Sequence, residues 1–215
     1  DKSYEIAESY NNVKLIKNKQ NYGFAKGNNI GIKAARGKFI VLLNNDTIVH
    51  PDWIKELVNV AHQDEKIGIL GCKLYYLSSN IIQHAGGILN LYGNGLSHIG
   101  QFEEDKGQYD YVKEVDFVTG AAMMIKSEVI DKIGLLDEDY FMYYEDVDYC
   151  YRAKRAGFKV VYVPYAIVYH YEGFSSNHLS TKKIILMERN RMLFVLKNFN
   201  KRELFNFIIH DLISL

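Results

Sequence analysis

The sequence predicts an α/β fold built on a mostly parallel central sheet, and three observations predict it. Short apolar runs rich in β-branched residues fall at 13–16, 39–43 and 67–74, and read as strands. Amphipathic helical patterns at 28–35 and 53–62 separate them, and this alternation argues for parallel strands with helices on the faces. With 215 residues, 48% of them hydrophobic, the chain can bury a core of that size.

Taken in order, residues 1–9 read as a short helix. Gly37 follows the first long helix where a left-handed residue would end it, and Pro51 sits where the first turn of the next would begin. Residues 75–113 are rich in Gly, Asn, Ser and His, and predict irregular structure with a projecting hairpin. Strands follow at 115–118 and 122–125, then a helix from Ser127 closed by Gly134 and another over 145–156 closed by Gly157. Extended segments at 159–163 and 166–169 flank Pro164, which suits a sheet edge or a strand terminus. A basic helix at 181–198 leads into an apolar tail at 204–215, so the chain divides into a main α/β domain, 1–178, and a C-terminal helical extension, 179–215.

Composition narrows the function. Lys and Arg total 26 against 26 Asp and Glu, so no net field draws a polyanion, and nucleic acid is not an expected partner. Cys72 and Cys150 lie far apart among apolar neighbours and read as buried thiols of a reducing, cytoplasmic compartment. No apolar run approaches the roughly 20 residues that span a bilayer. The apolar tail, with Lys182, Lys183, Arg189, Arg191 and Lys197 before it, suits either the inner face of a membrane or packing against another helix.

Four pieces carry chemistry. In LLNNDT (42–47) an apolar strand runs into Asn44, Asn45 and Asp46, at the carboxyl end where ligands of open α/β sheets collect; a plain turn is the competing reading. In GFAKGNN (23–29) small residues permit close backbone approach and a helix start offers free N–H groups to a phosphate, or the glycines simply ease the helix start. The run 134–148 gathers acids and aromatics before a helix. Capping explains some of the acids, and Asp148 reads as the surface partner of Arg152 four residues on, while aromatic walls around Glu145 and Asp146 would raise a carboxylate's basicity. His170 ends an extended segment, as a structural residue or as a partner of Asp46 in a site of mixed O and N ligands. Arg189, Asn190 and Arg191 read as a solvated helix face, with approach to a diphosphate as the alternative.

The order and wording of GFAKGNN, LLNNDT, DFVTGA (116–121), GLLDEDYFMYYEDVDYCYR (134–152) and VYHYEG (168–173) resemble glycosyltransferase family 2 of the GT-A fold, in its bacterial rhamnosyltransferase-like branch. The resemblance implies a three-layer sandwich whose opening strand, helix and strand would precede Asp1. It places Asp46 at the last position of a DxD-like metal motif, with Asn44 replacing the first acid. His170 matches a further ligand of Mn²⁺ or Mg²⁺, Asp146 an inverting base and Glu145 its orienting neighbour. Gly23, Ala25, Lys26, Gly27 and Asn28 match a donor-nucleotide loop beside Asn44, Asn45 and Asp46; Thr119, Gly120 and Ala121 match a strand end beside sugar and acceptor.

The implied reaction is inverting transfer of a sugar, rhamnose for one, from a dTDP or UDP donor to a hydroxyl of a cell-surface glycan or its lipid-linked precursor. The stretch 86–107, with His98, is a candidate acceptor wall. Two other classes stay open: a nucleotidyltransferase, which would release pyrophosphate, and a glycan-binding module without turnover.

Overall fold

Alternating side chains decide the architecture of this chain. The computed structural model describes residues 3–90, 95–171 and 181–213, with side chains as far as Ile209. The central sheet contains β1 (Phe39–Leu43), β2 (Thr47–Val49), β3 (Ile67–Tyr76), β4 (Ile82–His84), β7 (Lys113–Glu114), β8 (Ala122–Lys126) and β9 (Lys159–His170). Its spine runs β1-β8-β3-β9-β2. Ile69, Met123, Ile125, Val160 and Tyr162 point to one core, and their neighbours Leu70, Ala122, Met124, Val161 and Val163 to another. The first core is closed by α2 (Gly23–Ala34), α4 (Ser127–Ile133), α5 (Glu145–Arg155), α6 (Thr181–Asn198) and α7 (Lys201–Ile213). The second is closed by α3 (Trp53–Ala61), through Trp53, Leu57, Val60 and Ala61. This is the three-layer sandwich expected.

The share of parallel pairing is smaller than expected. Among the described residues only β3 and β9 pair in parallel; β1–β8, β3–β8, β2–β9, β3–β4 and β7–β9 are antiparallel. Strands β1, β3 and β9 do run in one direction, as the helix-strand alternation implies. Strand β8, arriving from the long insertion, enters between β1 and β3 and opposes both. Local periodicity reports which segments are strands and not which strand fills a gap.

Several segments depart from expectation for similar reasons. Residues 13–16 form no strand and leave Val13 and Ile16 exposed, since no described strand lies beside them. Residues 115–118 give only an isolated bridge, Phe117 to Gly87, after the short β7. Helix α2 begins at Gly23, five residues earlier than its apolar pattern, and ends at Ala34 with Ala35 extended, so Gly37 is not its left-handed cap. Gly134 (φ 78°) and Gly157 (φ 93°) do follow α4 and α5 at positive φ, as expected of closing glycines. Pro164 lies inside continuous β9, where three extra residues bulge between the Cys72–Val163 and Lys73–Ile167 pairs, so no ladder bond is lost at the proline. The insertion holds the expected hairpin, β5 (Gly87–Asn90) with β6 (Gly95–His98). Helix α1 (Ser3–Glu8) buries nothing.

Both cysteines are buried free thiols, and burial pushes each well above its ordinary range. No described helix is long and apolar enough to cross a membrane. The carboxyl ends of β1, β3 and β9 and the start of β8 share one edge, since Leu43 pairs with Ala122 and Tyr76 with His170. The segment around Asp46, the loop before β8 and the end of β9 at His170 meet on that edge.

Candidate active site

The pairing of β2 with β9 sets Thr47 opposite His170, and the N–H of Tyr171 donates to the Asp46 carbonyl at 2.9 Å. This brings Asp46 Oδ1 to 3.2 Å from His170 Nε2, with the side chains 20% and 12% exposed. Gln83, on β4 and itself buried, accepts a hydrogen bond through Oε1 from His170 Nδ1 at 2.8 Å. In the neutral ring that bond places the proton on Nδ1 and leaves Nε2 a lone pair, toward which Asn44 Nδ2 also points at 3.4 Å. Asp46 Oδ1 is buried without a hydrogen-bond donor. Two lone pairs thus face each other in a half-buried place, and a cation shared between them would relieve the repulsion. Asp46 and His170 therefore fit a hard divalent metal, although among the described residues no group of three or more His, Cys, Asp or Glu gathers for one.

The acid pair lies along the same edge. Asn44 N–H donates to Ala121 O at 2.9 Å, and one residue before Ala121 the Gly120 N–H donates to Asp146 Oδ2, also at 2.9 Å. The N–H of Val147 donates to Asp146 Oδ1 at 2.8 Å, so both oxygens are fixed at the start of α5. Desolvation by burial raises the Asp146 carboxyl above its ordinary range, partly offset by those two N–H donors and by nearby His98. Glu145 is buried with Oε2 unpartnered, and burial, then the charge of Asp146, pushes it up to about 8. The two carboxyls are adjacent and both raised, so they titrate as a pair.

Gly120 allows this approach: a Cβ there would lie 2.7 Å from the Phe24 ring. Gly23 (φ 79°) does the same for α2, whose Phe24 N–H donates to Phe141 O at 2.6 Å. The donor-loop residues thus pack against the acidic turn. Ala25 is fully buried, Asn28 Nδ2 donates to Phe24 O, and a Cβ on Gly27 would meet nothing within 4 Å. Lys26 is 3.7 Å from Glu138 and does not pair with Asp46. Thr119 Oγ1 accepts from Ala121 N–H at 3.3 Å, shaping the loop before β8, and Asn45, next to Asp46 in the chain, is exposed. Glu172 and Gly173, the end of the VYHYEG motif, lie outside the described residues, as do 91–94 of the candidate acceptor wall.

Two expectations change. Asp148 is a buried hub, 2% exposed, accepting from Arg152 Nε, Tyr140 OH and Asn198 Nδ2. Asn190 is fully buried, so it leaves the solvated face expected for this stretch of α6, while Arg189 stays exposed and donates to Asp139 O. Sequence reasoning missed Gln83, because nothing local marks a glutamine on a three-residue strand as the partner of a histidine 87 residues away.

Residues 3–192 match the family described as glycosyltransferase like family 2. The chain belongs to that family. Within it, the chain is 28% identical over 194 residues to the low-salt glycan biosynthesis hexosyltransferase Agl10 of Haloferax volcanii, covering 86% of this chain and 61% of that protein. It is 24% identical over 210 residues to the N-acetylglucosaminyl-diphospho-decaprenol L-rhamnosyltransferase of Mycobacterium tuberculosis, covering 87% and 68%. Other curated relatives are far longer than the matched part, which is as little as 12% of one. Among solved structures, GalNAc-T7 with UDP, GalNAc and Mn²⁺ superposes with a TM-score of 0.67 at 18% identity, over 90% of this chain and 38% of that one. The family and the GT-A fold expected from the motifs are thereby borne out.

Proposed function

We propose that this chain is the catalytic portion of an inverting glycosyltransferase that moves a hexose, rhamnose for one, from a nucleoside-diphosphate sugar to a hydroxyl of a cell-surface glycan or its lipid-linked precursor. The observation that carries the reading is the facing pair Asp46 Oδ1 and His170 Nε2 on the same sheet edge as Asp146. Asp46 and His170 would hold a divalent metal, which when bound supplies a Lewis acid for the departing diphosphate. Asp146 accepts the proton of the acceptor hydroxyl as its oxygen attacks the anomeric carbon and the bond to the diphosphate oxygen breaks. One base on the face opposite the leaving group gives inversion, and Glu145, buried beside it, is the orienting neighbour. Gly23, Ala25, Lys26, Gly27, Asn28, Asn44 and Asn45 would line the donor side, and Thr119, Gly120 and Ala121 the sugar and acceptor side.

Relatives named as a hexosyltransferase and an L-rhamnosyltransferase support the sugar class, and a neighbour crystallised with UDP and Mn²⁺ supports the donor and metal. Exposed Ile184, Ile185, Leu196, Phe205 and Ile208, with Lys182, Lys201 and Arg202, support peripheral contact of α6 and α7 with the inner face of a membrane. A thermal-shift panel of UDP, dTDP, GDP and CMP, with and without Mn²⁺, tests the reading. Metal-dependent stabilisation by one nucleoside diphosphate is expected; no shift from any of the four would overturn it.

A further inference from the structure

The turn before the acid pair is built in an unfavourable conformation. Phe141 (φ 58°), Tyr143 (φ 70°) and Tyr144 (φ 73°) all lie at positive φ, and none is glycine. Such residues are strained and persist only where the surroundings hold them. Tyr144 directly precedes Glu145, and its carbonyl accepts from Asp148 N–H at 2.8 Å to open α5. Any relaxation of the turn therefore rotates the first residues of that helix.

What holds the turn comes from α6. Asn190 is 0% exposed, and its Nδ2 lies 2.9, 2.8 and 2.7 Å from the carbonyl oxygens of Tyr140, Met142 and Tyr143. The two N–H groups of this amide are shared among three inward-turned carbonyls, of which that of Tyr140 also accepts from Met142 N–H at 2.6 Å. Further along α6, Asn198 Nδ2 donates to Asp148 Oδ1 at 2.8 Å, so the same helix also grips α5. Phe194 and Val195, buried between these asparagines, fix the helix on the core. We propose that Asn190 is a positioning residue of the hydroxyl-activating site: its amide keeps the 141–144 turn closed and thereby sets where Glu145 and Asp146 stand. The inference rests on the reading of Asp146 as base, and it makes α6 a working part of the catalytic unit.

The test uses Asn190→Ala and the isosteric Asn190→Asp, whose carboxylate cannot donate to three carbonyls. Two quantities are read: amide hydrogen exchange at residues 143–147 relative to β8, and the titration midpoint of Glu145 followed by carboxyl ¹³C NMR. Exchange at 143–147 should quicken about tenfold or more with β8 unchanged, and the midpoint should fall from about 8 toward the ordinary 4.5 as water reaches the loosened turn. A role in folding alone would raise exchange across the whole sheet and leave the midpoint in place. Uniform exchange, no change in either variant, or loss of the fold in both would overturn the proposal. The base reading fails separately, through an Asp146→Asn protein with full turnover.

Discussion

His170 meets Asp46 through one ring nitrogen and Gln83 through the other: Nε2 stands 3.2 Å from the carboxylate and Nδ1 2.8 Å from the amide oxygen. The glutamine selects the tautomer that leaves Nε2 open to a metal. Outer partners of this kind are worth about 10–100-fold in metal affinity. Gln83→Leu should therefore weaken Mn²⁺ binding in the presence of nucleoside diphosphate by about that factor, read by calorimetry or by the Mn²⁺ paramagnetic signal. Unchanged affinity would mean that His170 faces its partner for structural reasons only.

Asp146 is expected to lower the barrier as general base and to contribute nothing to holding the nucleotide. Asp146→Asn keeps the shape and removes the basic oxygen, so turnover should fall about 10²–10⁴-fold while the thermal shift with nucleotide and Mn²⁺ stays. The matching substitution at the metal site, Asp46→Asn, should show the reverse split, losing the metal-dependent part of the shift. If both variants lose nucleotide binding equally, the two carboxylates do not have separate duties.

Glu145 gives stability a pH dependence whose sign follows from its burial. Its carboxyl is pushed up to about 8 in the folded chain, against an ordinary 4.5, so between those values the folded chain binds more protons than the unfolded one. Its stabilising contribution is complete below about pH 4.5 and is lost as pH rises through about 8, and the raised Asp146 acts in the same direction. Buried His84, held well below its usual range, acts in the opposite direction and only below about pH 6.5. Denaturation between about pH 6.5 and 8.5 isolates the acids: the wild-type chain should lose on the order of 1–2 kcal/mol over this window, and Glu145→Gln should flatten the slope. An equal slope in both would place the titrating group elsewhere.

These outcomes bear on what the sequence could disclose. Strand β1 and helix α6 lie where periodicity places them, because a pattern over five or eighteen residues is local. Asp46, Asp146 and His170 were legible because each ends or begins such an element, and in an open sheet those ends share an edge. Gln83, Asn190 and the burial of Asp148 were not, since each depends on a partner about 50 or more residues away that no local pattern marks. The insertion of β8 between β1 and β3 belongs to the same class: pairing is chosen by the assembled sheet.

Gly120 offers a test of the junction between the acid and the donor loop. A Cβ there would stand 2.7 Å from Phe24 Cζ, 2.9 Å from Cε1 and 3.7 Å from Asp146 Cβ. The backbone needs no left-handed freedom at this position, so the glycine is present for space alone. Gly120→Ala should cost about 1–3 kcal/mol through forced displacement of the ring, and it should also reduce turnover by disturbing the N–H donated to Asp146. Phe24→Leu removes the crowding atoms and should recover part of both losses in the double variant, a coupling that a denaturant double-mutant cycle reads directly. Simple additivity of the two substitutions would show that the phenyl ring does not seat Gly120, and that α2 reaches the acid pair through Phe141 alone.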